Sequence, residues 1–276
     1  MPGAVLMPHP SYYDAHVHLA HPAIAESLDD ILEGYQSIAL KKAVVVGTSP
    51  ADWSAVAEIA DRDHRFIPAV GLHPWQVNAR PDPDWKRKML AHLEQGVTII
   101  GEIGLDQWIK DHDIESQLAA FRWQFALATE RNLPTSIHCL KAHEPLLQTL
   151  RQVRLPERGF ALHAYNGPPE TIWELLDLGA FFSVNGGQLK PNAKRIHELL
   201  HRIPEDRLLI ETDAPDFLPP KTQQAFHLRA VHDERQPPLN HPANLKTGYQ
   251  AIAEARGCSV EELAEIVEAN FTRYFL

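Results

Sequence analysis

Short apolar runs alternate with longer amphipathic segments along almost the whole chain. The run 43–47 is continuously apolar and ends in a turn, which is typical of a strand buried on both faces of a parallel sheet. Segment 25–39 instead carries apolar residues at intervals of three and four, which predicts a helix. By these criteria the chain contains eight predicted strands, at 12–19, 43–47, 66–74, 97–104, 134–139, 159–164, 180–184 and 208–213.

Helices are predicted between these strands and at the end of the chain, at 25–39, 52–62, 85–95, 115–131, 146–153, 169–178, 192–201, 243–256 and 259–269. Eight strands alternating with helices are the count of a (β/α)8 TIM barrel, an α/β fold. A doubly wound sheet would often have a glycine-rich loop after its first strand, where this chain has His16 and His18. We expect one barrel domain over 1–276, with a loose leader at 1–11 and a long loop at 216–242.

Composition limits where the protein works and what it binds. The 276 residues are 44% hydrophobic, and no apolar run reaches the ~20 residues that span a bilayer. Cys139 and Cys258 are too few and too far apart for a disulfide framework, and no signal peptide is found, so a cytoplasmic location is expected. The net charge of -10 argues against non-specific affinity for long duplex nucleic acid. It does not exclude a nuclease, because a bound metal can supply the positive charge that a phosphate needs.

Side chains that can bind metal follow strand after strand. His16 and His18 lie two residues apart on one strand, so their imidazoles face the same way and can hold one cation. Alone, such a pair is more often two ordinary half-buried histidines. Later strands end in the same kind of side chain, namely His73, Glu102, His138, His163 and Asp213. Because the carboxyl ends of barrel strands converge on one mouth, we expect these residues to meet there.

Four histidines and two carboxylates are too many for one open tetrahedral site. They suit two divalent ions ~3.5–4 Å apart, with Glu102 as the candidate bridge. Mixed imidazole and carboxylate ligands leave the metal open among zinc, manganese and magnesium. Such a site lowers the pKa of bound water, and Asp213 could hold that water and take its proton. Glu211, two residues deeper on the same face, is interpreted as a partner that orients a histidine ligand.

Two further positions are candidates for substrate contact. Lys190 follows the seventh strand and could meet an anionic group, although most loop lysines are only solvated. Trp75, and likewise Trp108, could stack on a base or could only cap the rim of the barrel.

Several ordered motifs resemble the TatD family of metal-dependent hydrolases from about residue 12 to the end of the chain. They are Asp14-Ala15-His16-Val17-His18-Leu19, Gly71-Leu72-His73-Pro74, Ile100-Gly101-Glu102-Ile103-Gly104-Leu105-Asp106, Ile137-His138, Leu162-His163-Ala164-Tyr165-Asn166-Gly167 and Leu208-Leu209-Ile210-Glu211-Thr212-Asp213-Ala214-Pro215. The resemblance implies an amidohydrolase-type barrel with two ions, one bound by His16, His18, Glu102 and Asp213, the other by Glu102, His138 and His163. It also implies that His73 faces the substrate phosphate, and that the chain is a DNase, the family including 3′ to 5′ exonucleases on single strands.

Three departures from the family pattern lie near the expected substrate position. Gln107-Trp108 replaces a frequent tyrosine, Cys139-Leu140-Lys141 a frequent arginine, and Asn240-His241-Pro242 a frequent Asn-Glu-Pro. The first hypothesis is a two-metal deoxyribonuclease. The second is a small-molecule hydrolase of an amide, lactone or phosphoester on the same metals. The third is a binding protein without turnover, against which the complete ligand set argues. The sequence indicates no obligate protein partner.

Overall fold

The computed structural model describes residues 10–79, 81–190, 192–228 and 238–276. Eight parallel strands pair in chain order and form the wall of a barrel. They are β1 (Tyr12–Val17), β2 (Leu40–Val46), β3 (Phe66–Val70), β4 (Ile99–Asp106), β5 (Thr135–Leu140), β6 (Phe160–Leu162), β7 (Ala180–Val184) and β8 (Leu208–Ile210). The (β/α)8 TIM barrel predicted from the sequence is confirmed.

Helices follow the strands and form the outer layer. They are α1 (Pro22–Ala25), α2 (Leu28–Ser37), α3 (Trp53–Arg62), α4 (Pro74–Asn78), α5 (Trp85–Glu94), α6 (Ile114–Arg131), α7 (His143–Leu150), α8 (Ile172–Asp177), α9 (Lys194–Arg202), α10 (Leu245–Arg256) and α11 (Val260–Phe275). The helix predicted at 25–39 is observed as α2, and α1 precedes it where no helix was predicted. The structure also adds α4 where a strand was expected to end. No helix in the described part of the chain is long and apolar enough to cross a membrane.

The barrel closes between its last and first strands. Asp213 N–H donates to His16 O, and His18 N–H donates to Ala214 O, both at 2.9 Å. These two bonds join the ends of β1 and β8 at the mouth of the barrel. They place the segment that follows β8 directly beside the two histidines of β1.

Asp14 strengthens this junction between β1 and the segment after β8. Its fully buried carboxylate accepts hydrogen bonds from the Thr212 N–H at 2.9 Å, the Thr212 hydroxyl at 2.6 Å and the Tyr35 hydroxyl at 3.1 Å. Burial raises the pKa of Asp14 to about 7, although the hydrogen bonds from Thr212 oppose the shift. Asp14 therefore connects β1 to the residues after β8 by side-chain contacts that the strand pattern does not include.

Two tyrosines of the closing helices complete the opposite, amino-terminal end of the barrel. The Tyr274 hydroxyl of α11 accepts from Thr135 N–H and donates to Thr135 O, both at 2.8 Å. The Tyr249 hydroxyl of α10 accepts from Tyr13 N–H at 3.1 Å and donates to Tyr13 O at 2.9 Å. Each tyrosine thus satisfies the backbone of a residue where a strand begins.

The long loop predicted at 216–242 lies partly outside the described residues. Its described part folds back on the start of α10, where Asn244 Oδ1 accepts from the N–H groups of Ala225 and Phe226 at 3.0 and 2.9 Å. The predicted leader 1–11 lies almost wholly outside the described residues, which begin at residue 10.

Candidate active site

His16 and His18 converge at the end of β1, although the strand is irregular there. The pairing of β1 with β2 shifts register after Asp14, and His18 lies just beyond the strand. His16 Nδ1 is 2.7 Å from Ser136 Oγ, and His18 Nδ1 is 3.1 Å from Val46 O. With both Nδ1 atoms engaged outside the cluster, the two Nε2 atoms face each other at 3.1 Å.

Glu102 lies at the centre of the cluster. It occupies an irregular position of β4, where the pairing with β5 shifts register. Gly71 is required here, because a Cβ at that position would overlap the backbone of Glu102. Glu102 Oε2 faces the Nε2 atoms of His16 and His18 at 3.5 and 3.4 Å. Its Oε1 faces three other imidazole nitrogens, His73 Nε2 at 3.2 Å, His138 Nδ1 at 2.9 Å and His163 Nε2 at 2.8 Å. The two carboxylate oxygens therefore face two different sets of histidines.

Asp213 lies beyond β8, which ends at Ile210 and not at the predicted position 213. Its backbone is left-handed, with φ 50°, and its N–H is bound to β1. Asp213 Oδ1 is 3.3 Å from His18 Nε2 and 3.7 Å from His16 Nε2. Asp213 thus joins the two histidines that face Glu102 Oε2.

His138 turns its Nδ1 toward the cluster, because its Nε2 is held by Asp106. His138 Nε2 is 2.9 Å from Asp106 Oδ2, which belongs to a fully buried carboxylate at the end of β4. Burial would raise the pKa of Asp106, but hydrogen bonds from His138 and the Trp75 indole hold it at about 2. The ionised carboxylate keeps a proton on His138 Nε2 and leaves the Nδ1 lone pair free for a metal. Gly104 permits the approach, since a Cβ there would overlap His138 O.

His163 follows β6, and Glu211 lies behind it. Glu211 Oε1 is 3.6 Å from His163 Nδ1, a distance for an ion pair but too long for a hydrogen bond. Glu211 is itself fixed by the Ala164 N–H at 2.8 Å and by the Ser183 hydroxyl. The structure therefore places Glu211 beside a candidate ligand, as the sequence predicted, without a direct hydrogen bond between them.

His73 differs from the other histidines, because it caps the amino terminus of α4. Its Nδ1 accepts a hydrogen bond from Trp75 N–H at 3.1 Å. A neutral imidazole that accepts on Nδ1 carries its proton on Nε2. Burial lowers the pKa of His73, which favours this neutral form. His73 therefore presents an N–H donor to the cluster, where the other histidines can present lone pairs.

The groups around Glu102 Oε2 are carboxylates and imidazoles, which need a bound proton or metal ion between them. His18 donates from Nδ1 to a carbonyl, so its neutral ring presents a lone pair to the carboxylates of Asp213 and Glu102. Burial would lower the pKa of His18, but these carboxylates raise it to about 9. Burial would raise the pKa of Glu102, but the surrounding histidines hold it well below its usual range. Buried nitrogen and oxygen donors that all favour positive charge are the donor set that a divalent metal ion fits.

The structure brings all six predicted metal ligands and His73 into this one cluster. Donor atoms lie within 4.8 Å of one another in the groups His16–His18–Asp213, His16–Glu102–His163, His73–Glu102–His138 and His163–Glu211–Asp213. Lys190 is not among them and lies exposed on the loop after β7. Trp75 lies at the edge, where its indole N–H donates to Asp106 Oδ2 at 2.7 Å. Sequence reasoning missed Ser136 as a partner of His16, and no motif marks it.

An eight-stranded barrel with a buried cluster of imidazoles and carboxylates at its mouth defines a class, the barrels that carry a metal centre at the carboxyl ends of their strands. Comparisons with known proteins specify it further. The family model "TatD related DNase" matches residues 13–276. YabD of Bacillus subtilis, an uncharacterized metal-dependent hydrolase, is 32% identical over 267 residues, covering 95% of this chain and 98% of YabD.

Two other proteins are similar to this chain, one in sequence and one in fold. TatD of Erwinia tasmaniensis, a 3′-5′ ssDNA/RNA exonuclease, is 27% identical over 270 residues, covering 95% of this chain and 99% of that protein. The crystal structure of YJJV, a TatD homologue from Escherichia coli K12, has a TM-score of 0.85 at 24% identity and covers 96% of this chain and 97% of that one. The chain belongs to the TatD family of metal-dependent hydrolases, as its motifs indicated. The hypothesis of a binding protein without turnover is therefore wrong.

Proposed function

We propose that this hydrolase cleaves phosphodiester bonds in single-stranded DNA with two divalent ions. The observation that carries the proposal is the orientation of the Glu102 carboxylate. Its Oε2 faces His16 and His18, and its Oε1 faces His138 and His163. A carboxylate between two sets of ligands is the arrangement that bridges two ions. His16, His18, Asp213 and Glu102 would hold one ion, and His138, His163 and Glu102 the other.

Two bound divalent ions would supply a water of lowered pKa and positive charge for the phosphoryl oxygens. Asp213 would hold the attacking water and accept its proton. Burial would raise the pKa of Asp213, but hydrogen bonding to His18 and the neighbouring imidazoles lower it, so the carboxylate is ionised and able to accept. Glu211, whose own position is fixed by Ala164 and Ser183, would favour a proton on His163 Nδ1 and so direct Nε2 to the metal.

His73 would contact the substrate. Its Nε2 proton is fixed by the cap of α4, so it can donate to a phosphate oxygen at the same mouth. Because the proton is fixed on Nε2, this nitrogen can stabilise negative charge that develops on the phosphate oxygen. It cannot bind a metal ion while the ring is in this neutral form.

A nucleic acid is the favoured substrate because of the family description and the exonuclease relative. The exposed indoles of Trp75 and Trp108, 46% and 67% exposed, offer surfaces on which unpaired bases can stack. The net charge of -10 favours the second candidate, a small-molecule ester or amide hydrolase on the same metals. Lys190, exposed beside the mouth, would contribute to anion binding in either case.

The test is cleavage of end-labelled single-stranded DNA with added magnesium, manganese or zinc. Asp213→Asn is expected to reduce the rate by more than about 10²-fold, as does removal of one preorganised catalytic group. Asp29→Asn is the matched control, because Asp29 is an exposed carboxylate on α2 and lies outside the cluster. No cleavage by metal-loaded wild type would reject the nuclease proposal and favour the small-molecule candidate.

A further inference from the structure

Trp75 lies between the solvent at the barrel mouth and a buried carboxylate. Trp75 is 46% exposed, whereas Asp106 is 0% exposed. The indole N–H nevertheless donates to Asp106 Oδ2 at 2.7 Å. One edge of the ring is therefore fixed inside the protein, while the rest of the ring is open to a ligand.

Asp106 Oδ2 accepts from two side chains at once. The Trp75 indole approaches it at 2.7 Å and His138 Nε2 at 2.9 Å. The other oxygen, Oδ1, accepts from the backbone N–H groups of Trp108 and Ile109 at 2.7 and 3.1 Å. Four donors therefore set the orientation of this carboxylate. Because Asp106 is fully buried, its Oδ2 would lose a donor that bulk water does not replace if the indole N–H were removed.

The orientation of Asp106 in turn sets that of His138. The hydrogen bond to Nε2 fixes the ring so that Nδ1 faces Glu102 Oε1 at 2.9 Å. Partners of this kind, which bind the far nitrogen of a ligating histidine, hold the tautomer and the ring orientation. Trp75 acts on His138 indirectly: its indole N–H holds the Asp106 carboxylate, and that carboxylate holds His138.

The free part of the Trp75 ring stands beside the residue proposed to meet phosphate. Its plane is at 85° to the ring of His73, with centroids 5.0 Å apart. A phosphate at His73 would bring the base of an adjoining nucleotide within reach of the exposed indole. Any base can stack on an aromatic face, but a base that is paired in a duplex is not free to do so.

We propose that Trp75 couples substrate to the metal centre: its exposed ring stacks on the unpaired base next to the scissile phosphate, and its N–H positions His138 through Asp106. The stacking part rests on the proposed nuclease function, whereas the positioning part does not. Trp75 is thus a substrate-binding residue by its ring and a positioning residue by its N–H.

The positioning part is tested by titrating metal-free protein with Mn²⁺ and reading free Mn²⁺ by electron paramagnetic resonance. Trp75→Phe keeps an aromatic ring and removes the N–H, and we expect about tenfold weaker binding of one ion, the low end of the effect of such partners. Trp108→Phe is the matched control. Trp108 also lies at the mouth and also meets Asp106, but through its backbone, and its indole N–H has no partner among the described residues. Equal Mn²⁺ affinities in the two variants would overturn the positioning role.

The stacking part is tested with single-stranded oligonucleotides at Mn²⁺ concentrations that saturate each variant. A series in which an abasic nucleotide replaces one terminal residue at a time identifies the base that matters. For both wild type and Trp75→Phe, we expect the KM for the abasic substrate to be about 5- to 140-fold higher than for the intact one, which is the range for one stacked base. Trp75→Leu is expected to lose this difference. A difference that survives in Trp75→Leu, or is absent from wild type, would overturn stacking on Trp75. Wild type inactive on every oligonucleotide would reject the nuclease function and stacking together, while the Mn²⁺ titration would still decide the positioning role.

Discussion

The two ends of the barrel bury polar groups in opposite ways. At the amino-terminal end, the Tyr274 and Tyr249 hydroxyls each both donate and accept, so the backbone of Thr135 and Tyr13 is fully paired there. At the mouth, the carboxylates of Glu102 and Asp213 face the Nε2 atoms of His16 and His18 at 3.3–3.7 Å, so these groups are paired only when a proton or a metal ion supplies positive charge. The first arrangement stabilises the fold without any addition. The second costs free energy until positive charge enters it.

This difference separates stability from function within one fold. In barrels of this class the residues at the carboxyl ends of the strands carry the chemistry, and the other end serves stability. The following predictions test this division between the two ends.

The largest effect is expected for Glu102→Gln. An amide presents one oxygen and one N–H₂ group, so it cannot offer an anionic oxygen to both sets of histidines. We expect kcat/KM to fall by more than about 10²-fold, and elemental analysis to find fewer bound ions than in wild type. A variant that keeps the wild-type metal content would contradict the bridging role of Glu102.

Tyr274→Phe should do the reverse and weaken the fold while sparing the site. Thr135 N–H and O would lose their partner in a buried position. We expect a loss of about 2–6 kcal/mol in the free energy of unfolding, since each of the two unsatisfied groups costs ~1–3 kcal/mol. Urea unfolding measures it, and Tyr249→Phe should behave alike. A fall in kcat/KM at low temperature that matches Glu102→Gln would refute the division between the two ends.

We expect the free energy of unfolding of the metal-free protein to decrease as pH rises, because a histidine at the mouth loses its proton. The pKa of His18 is raised from its ordinary 6.5 to about 9, so the protonated form is favoured by folding. This contribution is fully present below pH 6.5 and is lost as pH rises through about 9. We expect the midpoint of thermal unfolding to fall over this interval without metal, and to fall less with saturating Mn²⁺, which replaces the proton. If this midpoint fell equally with pH in the presence and absence of Mn²⁺, the histidine at the mouth would not be the cause.

The smallest effect concerns Cys139, which follows His138 at the mouth. Burial raises the pKa of its thiol to about 12, and its Sγ lies 3.2 Å from His143 Nδ1. At pH 8 it should hold on the order of 10³-fold less thiolate than a free cysteine. Reaction with a chromogenic disulfide should therefore be slow, and Cys139→Ala should leave kcat/KM within about twofold of wild type. Fast labelling that inactivates the enzyme would contradict this.

The sequence by itself determined the strand order and the positions of the six candidate ligands. Strand and helix periodicities are local, and a barrel brings the carboxyl ends of all its strands to one mouth, so residues from His16 to Asp213 could be assigned together. Strict alternation was less reliable, because β1 and β4 shift register near His16 and Glu102. In the structure, the strands predicted at 159–164 and 208–213 end at Leu162 and Ile210, before His163 and Asp213.

Only the tertiary structure decided which nitrogen of each histidine faces the cluster. Ser136, Val46, Asp106 and the Trp75 backbone hold the opposite nitrogens of His16, His18, His138 and His73, respectively. Most of these partners are distant in sequence, and a tautomer depends on the hydrogen bond that the other nitrogen makes. The separate orientations of the two Glu102 oxygens, and the junction that Asp14 strengthens between β1 and the segment after β8, have the same origin. Residue types can be read along the chain, whereas the direction of a lone pair follows from contacts that exist only after the barrel has closed.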